Sequence, residues 1–434
     1  MNSSTHDLLD PLLHSGFKGY PRTQPPRLRS DIGAAQWNVL AGDLPLPLAV
    51  LKREALEHNL AWMQARVREW GVDLAPHGKT TMSPQLFQRQ LDAGAWGITF
   101  ATVTQARVGI NAGVQRCLIA NQVLAAADLA SIQQLLSSHA GLRIVFLVDS
   151  VEQLGLIEGW YASPGQADNS HKRPFEVLLE IGLDGGRTGC RSDQLALALA
   201  RRIRASVAVR LVGVECYEGS WAKGVSETDR AVADTIMGRV VATALHCDSE
   251  QLFECDEVLL SAGGSAIFDL VAPHLTARLA LPVRGLLRPG CYVTHDNGAY
   301  QRMMSVMTSR LGCGHGLHAA MEVWATVQSR PEPGLAILAA GRRDLSSDSA
   351  MPTPVFVSRL GQTTVSDAPA DWAVTALNDQ HAYLRCPDNA ILDLQVGDRI
   401  GLGISHPCTT FDKWRWMALI DNDYNVCDAI VTSF

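Results

Sequence analysis

The sequence predicts an α/β fold, a (β/α)8 TIM-type barrel over residues 43–285 followed by a mostly β domain over 286–434. Two observations carry this. From about residue 44, short apolar runs alternate with helical stretches, and eight such runs fall within about 240 residues, the span of a barrel of this type. Beyond about residue 283 the runs become short, β-branched and turn-bounded, with no helical periods between them.

The runs expected to be barrel strands are 46–50, 72–77, 97–102, 117–122, 143–149, 175–182, 209–217 and 257–263. Between the first two, Leu51, Leu56, Leu60, Met63 and Val67 recur at helical spacing, and Gly71 stands where a helix stop is expected. A doubly wound open sheet is the alternative. No G-x-G-x-x-G follows the first run, so its dinucleotide-binding version has little support. LRPGCYVTHD, AAMEVWATVQSR, LAILAAGRR, TPVFVSRL, HAYLRCP, DRIGLGIS and RWMALIDN supply the strands of the second domain. Ahead of the barrel, residues 1–42 hold Pro21, Pro25 and Pro26 without sustained periodicity, which predicts an arm or lid packed on the β domain or at a dimer interface. There is no internal repeat.

Composition narrows the function. At 434 residues, 47% hydrophobic and 19% charged, the chain reads as an ordinary globular protein. Its 37 Lys+Arg against 44 Asp+Glu give a net charge of -7 with no block of like charge, so no electrostatic footprint for nucleic acid is present. The N-terminus lacks the basic start and apolar core of a secretory signal, and no stretch of about 18 apolar residues occurs, so a cytoplasmic protein without a membrane span is expected. Ten cysteines stand singly with no CxxC pair, which fits reduced thiols, most of them small buried hydrophobes.

In such a barrel, chemistry sits at the C-terminal ends of the strands. The second run ends in Pro76-His77-Gly78-Lys79-Thr80, where Lys79 closes an apolar strand. A partly desolvated lysine there has a lowered pKa and can form a Schiff base; on position alone, a lysine reaching solvent is the plainer reading. The eighth ends in Ser261-Ala262-Gly263-Gly264-Ser265, small residues that let backbone N–H groups approach a phosphate, although Gly-Gly is more often simply a turn. The seventh aims Tyr217 at the barrel mouth, with a structural tyrosine as the even alternative. The sixth leads into a glycine-rich loop presenting Arg187, which suits an anionic oxygen or a phenolate. Near the C-terminus His406 and Cys408 stand one residue apart, so in an extended chain an imidazole and a thiolate face the same side and can share zinc. Cys313-Gly314-His315-Gly316-Leu317-His318 is a rival by the same arithmetic, more readily a flexible loop.

PHGKT around Lys79, AGAWGITFATVTQA (93–106), LIANQV (118–123), Arg187, Tyr217, the Gly263–Ser265 turn, LRPGCYV (287–293) and SHPCTTFDKWR (405–415) occur together and in order. In this the chain resembles the fold type III pyridoxal-phosphate enzymes, specifically the D-serine dehydratase and D-threonine aldolase family, over about residues 44–434. The resemblance implies that Lys79 holds pyridoxal phosphate as a Schiff base and acts as a base at Cα, with His77 among the cofactor-binding residues. It implies that Gly263, Gly264 and Ser265 take the phosphate, and that Tyr217 faces the pyridine ring. Arg187 would meet the ring's phenolic oxygen or the substrate carboxylate, and His406 and Cys408 would bind Zn2+. A homodimer is implied as well. The expected activity is loss of the β-hydroxyl from D-serine or a related D-3-hydroxy amino acid, giving a 2-oxo acid and ammonia.

The alternative is an aldolase acting on D-threonine-like or D-3-hydroxyaspartate-like substrates; a pyridoxal-phosphate carrier is more remote. The family's aldolases commonly place an acidic residue where Cys408 stands, and a thiolate favours zinc and dehydration. A racemase needs an acid/base on each face of Cα, and the sequence singles out no second-face residue. Ala75 and Gly78 are smaller than is usual in the family and Thr81-Met82 replaces a more basic pair, so a roomier or less cationic site is expected.

Overall fold

The computed structural model describes residues 7–163, 172–264, 266–387 and 390–434. Eight parallel strands make the first sheet: Asp73–Leu74, Ile98–Phe100, Arg116–Gln122, Arg143–Val148, Phe175–Ile181, Val209–Cys216, Val258–Ala262 and Val283–Leu287. Each of the last six pairs with the one before it, and the last also lies beside the first, with Leu287 opposite Leu74. Between the first two the ring closes through Trp96 N–H to Leu74 O at 2.7 Å, Thr99 N–H to Pro76 O at 2.8 Å and a parallel bridge from His77 to Thr99.

Three segments differ from expectation, and LRPGCYVTHD is one of them: past Leu287, which ends a barrel strand, it forms only the short turn Cys291–Val293 and no strand of the second domain. The run at 46–50 is no barrel strand: Leu48–Lys52 pairs antiparallel with Met321–Glu332 and parallel with Trp416–Ile420 in the second sheet. Its Leu48, Ala49, Val50 and Leu51 are all buried, and a strand buried on both faces has the same continuous apolar texture in either sheet. The eighth barrel strand is instead Val283–Leu287.

The helix Arg53–Trp70 buries Leu56, Leu60, Met63 and Val67 on one face and ends at Gly71 in the left-handed conformation, φ 69°. Later βα turns carry their own start signals. The side chains of Ser83, Thr102, Ser150 and Ser192 each accept the N–H three residues on and so cap the following helix. Such caps fix these four turns at the end where chemistry is expected.

Alternation decides what faces the barrel axis. Ala75, Trp96, Leu118, Val145, Leu147, Leu178, Val212, Leu259 and Leu286 form one interior cluster. One step further along their strands, Ala120 follows Leu118 and Glu180 follows Leu178 on the same face. A register shift at Val212, where Val177 pairs Leu211 and Leu178 pairs Gly213, resets the phase so that Glu215 also looks inward.

The second domain is antiparallel apart from the parallel pair of Leu48–Lys52 and Trp416–Ile420. Met321–Glu332 sits at its centre between Arg399–Gly403 and Leu335–Leu338, and Thr353–Ser358 extends the layer. Residues 7–42 lie against this domain. Tyr20 stacks edge-on against Trp37 and Trp416, Lys18 pairs with Asp344 at 3.1 Å, and Arg29 pairs with Asp428 at 2.5 Å. Among the described residues no helix is long and apolar enough to cross a membrane.

Candidate active site

A cavity of about 410 Å³ opens over the C-terminal ends of the barrel strands. It is lined by His77, Lys79, Arg187, Tyr217, Gly263, His406 and Cys408, all singled out from sequence, together with Glu180, Glu215, Arg288, Cys291 and Tyr300, which were not. Gly264 adjoins it, and Ser265 lies outside the described residues.

Lys79 sits in the single turn Gly78–Thr80 that follows the second run, its side chain exposed rather than partly desolvated as expected. The turn is held from behind. A Cβ on Gly78 would come within 2.9 Å of Ile98, Phe87 and Phe100, so the missing side chain makes room in the outer core and not in the cavity. Thr81 and Met82 are likewise buried and do not line the cavity, so their chemistry does not set its charge. His77 Nδ1 is buried without a hydrogen-bond partner, and burial, reinforced by Lys79, Arg288 and Arg187, holds its imidazole well below the usual pKa.

Arg288 leaves the end of strand Val283–Leu287 and is buried. It donates to Glu215 at 2.5 Å, to Ser261 Oγ at 2.5 Å and to the Cys216 carbonyl at 3.0 Å. Glu215 is fully buried with one oxygen unpartnered, and burial pushes its pKa up to about 8 against the pull of Arg288. Glu180 accepts from Thr188 at 2.6 Å and from Gln122, and burial raises its pKa as well. The Arg187 guanidinium lies 4.7 Å from the Tyr217 ring centroid, a cation–π contact.

The glycine turn is occupied differently from expectation. The Gly263 N–H, at 3.0 Å, and the Gly264 N–H both go to the buried Glu218 carboxylate. Gly264 has φ +69° and its absent Cβ would meet Leu287 at 2.9 Å, so the turn needs glycine there. The two N–H groups of the turn thus converge on an anionic group, which in this structure is the Glu218 carboxylate.

Opposite, Cys291, His406 and Cys408 place their donor atoms within 4.8 Å of one another. Cys291 Sγ and Cys408 Sγ are 3.7 Å apart, and Cys408 Sγ lies 3.4 Å from Thr80 Oγ1. Hydrogen bonding from Cys291, then from His406 and Thr80, favours the Cys408 thiolate, while the Cys291 thiol is pushed up. Asp348 meets His406 Nδ1 at 2.7 Å and accepts from Thr409 at 3.0 Å, leaving Nε2 for a metal. Soft sulfur and imidazole donors suit zinc, so the residues fit the expected metal. The rival Cys313 loop gathers no such set among the described residues: His318 stacks on His58 at 3.8 Å.

Of the residues missed, Arg288 and Cys291 lie within LRPGCYV, a segment noticed as a whole but not read residue by residue. Glu215 stood beside the tyrosine that was noticed. Asp348 and Tyr300 carried no local signal.

Comparison with known proteins places this geometry. Residues 51–292 match the family described as alanine racemase, N-terminal domain, and residues 320–420 match the putative serine dehydratase domain. D-threonine aldolase from Arthrobacter sp. is 28% identical over 367 residues, covering 84% of this chain and 86% of its own. D-threo-3-hydroxyaspartate dehydratase from Delftia sp. strain HT23 is 28% identical over 383 residues, covering 85% and 92%. Its solved structure superposes with a TM-score of 0.72 at 26% identity, covering 92% of this chain and 99% of its own. The crystal structure of D-threonine aldolase from Filomicrobium marinum does so with 0.71 at 26% identity, covering 90% and 95%. Alanine racemase from Bacillus anthracis shares the fold, with a TM-score of 0.57 at 13% identity and coverage of 88% and 97%. Barrel, β domain and site agree with these matches: the chain belongs to the alanine racemase N-terminal domain family and is a pyridoxal-phosphate-dependent lyase of fold type III.

Proposed function

We propose that this lyase is a zinc-dependent dehydratase, an ammonia-lyase converting D-serine or a related D-3-hydroxy amino acid to a 2-oxo acid and ammonia. The observation that carries the reading is the soft donor pair of His406 and Cys408 facing the same cavity as Lys79. When bound, pyridoxal phosphate supplies an electron sink that acidifies Cα, and zinc supplies a Lewis acid for the β-hydroxyl.

The chain's own residues do the rest. Lys79 Nζ holds the cofactor and takes the Cα proton. Arg187 orients the substrate carboxylate or the ring's phenolic oxygen, and Tyr217 lies against the ring. Gly263, Gly264 and Ser265 take the phosphate once Glu218 has turned aside. His77 is kept neutral beside three cations, so it adds no charge to the cofactor pocket. His406 and Cys408 hold the metal, with Asp348 fixing the imidazole. Ala120 and Leu147 give the floor an apolar surface that excludes water from Cα. The working form is a homodimer, as the resemblance implies, and light scattering of the purified protein checks the assembly.

A second reading, cleavage of D-threonine-like or D-3-hydroxyaspartate-like substrates, is favoured by the aldolase among the relatives. The test is product analysis of zinc-loaded protein with D-serine, D-threonine and D-3-hydroxyaspartate. A 2-oxo acid with equimolar ammonia supports the dehydratase; glycine with an aldehyde or oxo acid replaces it with the aldolase.

A further inference from the structure

We propose that Cys291 is a third protein ligand of the metal, so that the site is a Cys-His-Cys set with one exchangeable position. The inference rests on the reading that this cluster holds a metal and deepens it.

Cys291 reaches the site by a different route from the other two ligands. It opens the short turn Cys291–Val293, four residues past the last barrel strand, whereas His406 and Cys408 follow strand Arg399–Gly403 of the second domain. Its position is fixed by the residue before it. A Cβ on Gly290 would fall 2.3 Å from Thr80 Oγ1 and 2.8 Å from the His77 carbonyl, so the chain passes directly over the Lys79 turn. The same Thr80 hydroxyl contacts Cys408, which brings together one cysteine that follows the last barrel strand and one that follows a strand of the second sheet.

The spacing suits ligation. Two thiolates on one tetrahedral zinc, each about 2.3 Å from it, stand about 3.8 Å apart; the two sulfurs here are 3.7 Å apart. That distance alone also describes two thiols in contact. The imidazole within 4.8 Å of both, its Nδ1 held by Asp348, adds a third donor to the same cluster.

A chemical consequence follows. Three protein ligands leave a tetrahedral zinc one open position. With Cys291, His406 and Cys408 all holding the ion, that one position would be the place for the substrate's hydroxyl. Two sulfurs also exclude hard cations such as Mg2+ and Mn2+ more strongly than one.

The test counts sulfur on the metal in the full-length holoprotein. X-ray absorption of the zinc-loaded protein is expected to show two sulfur neighbours per zinc; one sulfur overturns the proposal. Cobalt(II) loading gives a second readout. Cys291→Ser and Cys408→Ser are each expected to lose about half of the thiolate-to-cobalt charge-transfer absorbance, and zinc is expected to bind Cys291→Ser at least tenfold more weakly in a chelator competition. Full absorbance and unchanged zinc affinity in Cys291→Ser would overturn the proposal while leaving His406, Cys408 and the dehydratase reading intact. A wild-type protein that takes up neither metal overturns both.

Discussion

Glu218 accepts the Gly263 N–H at 3.0 Å and the Gly264 N–H as well, so one buried carboxylate ties the turn after strand Val258–Ala262 to the end of strand Val209–Cys216. Each buried N–H left without a partner costs about 1–3 kcal/mol. Glu218→Ala is therefore expected to destabilise the cofactor-free protein by about 2–6 kcal/mol on that basis. Saturating pyridoxal phosphate should recover part of the loss, because phosphate oxygens then take the two donors. Chemical denaturation with and without the cofactor checks this; an equal loss in both conditions would mean that the phosphate binds elsewhere.

Asp348 acts on the metal through His406. Removing such a partner typically weakens metal binding by about 10–100-fold. Asp348→Ala is expected to lose zinc affinity in that range, and Asp348→Asn, whose amide oxygen still accepts from Nδ1–H, should lose less. Competition with a chromophoric chelator measures both. Equal affinities for all three proteins would leave Asp348 as a surface contact of the loop.

Lys79→Ala is expected to lose the visible absorbance of bound cofactor together with all turnover. A variant that keeps the band would remove Lys79 from its role. Absorption spectra recorded after gel filtration decide it.

His77 gives stability a pH dependence of predictable sign. Its folded pKa is depressed by burial, then by the charges of Lys79, Arg288 and Arg187, whereas in the unfolded chain it titrates near about 6.5. Below that pH the unfolded state binds a proton that the folded state refuses. His77 therefore lowers stability progressively as pH falls through about 6.5, by at most about 1.4 kcal/mol per pH unit. Urea midpoints between about pH 5 and 7 should slope downward towards acid in the wild type and less so in His77→Asn.

Much of the molecule was legible in the sequence where one local rule acts alone. The helix Arg53–Trp70 and its Gly71 stop follow from a single apolar stripe and a single glycine. Lys79, Tyr217, Arg187 and Gly263 could be found because barrel geometry sends strand ends to one face, and all four line the cavity. What stayed hidden depended on pairing across long separations. The Leu48–Lys52 run has the texture of a barrel strand, and only its partners Met321–Glu332 and Trp416–Ile420 assign it elsewhere. Glu215 points inward because of a one-residue slip beside Val212, which no local pattern announces. Asp348 comes from a loop 58 residues before the histidine it supports.

The Leu48–Lys52 strand also bears on the order in which the chain can assemble. It is synthesised before the whole barrel, yet its neighbours come from the second domain, with Leu51 opposite Met321 on one side and Leu419 on the other. A nascent chain emerging N-terminus first must carry this apolar strand unpaired while eight others form their ring. Closing so long a loop is entropically slow, and an unpaired apolar edge invites association. Chains stopped just before Trp416 should therefore be cut by protease near residues 43–52 and recruit holdase chaperones, whereas full-length chains should not. Equal protease resistance in both would show that the strand is sheltered before its last partner arrives.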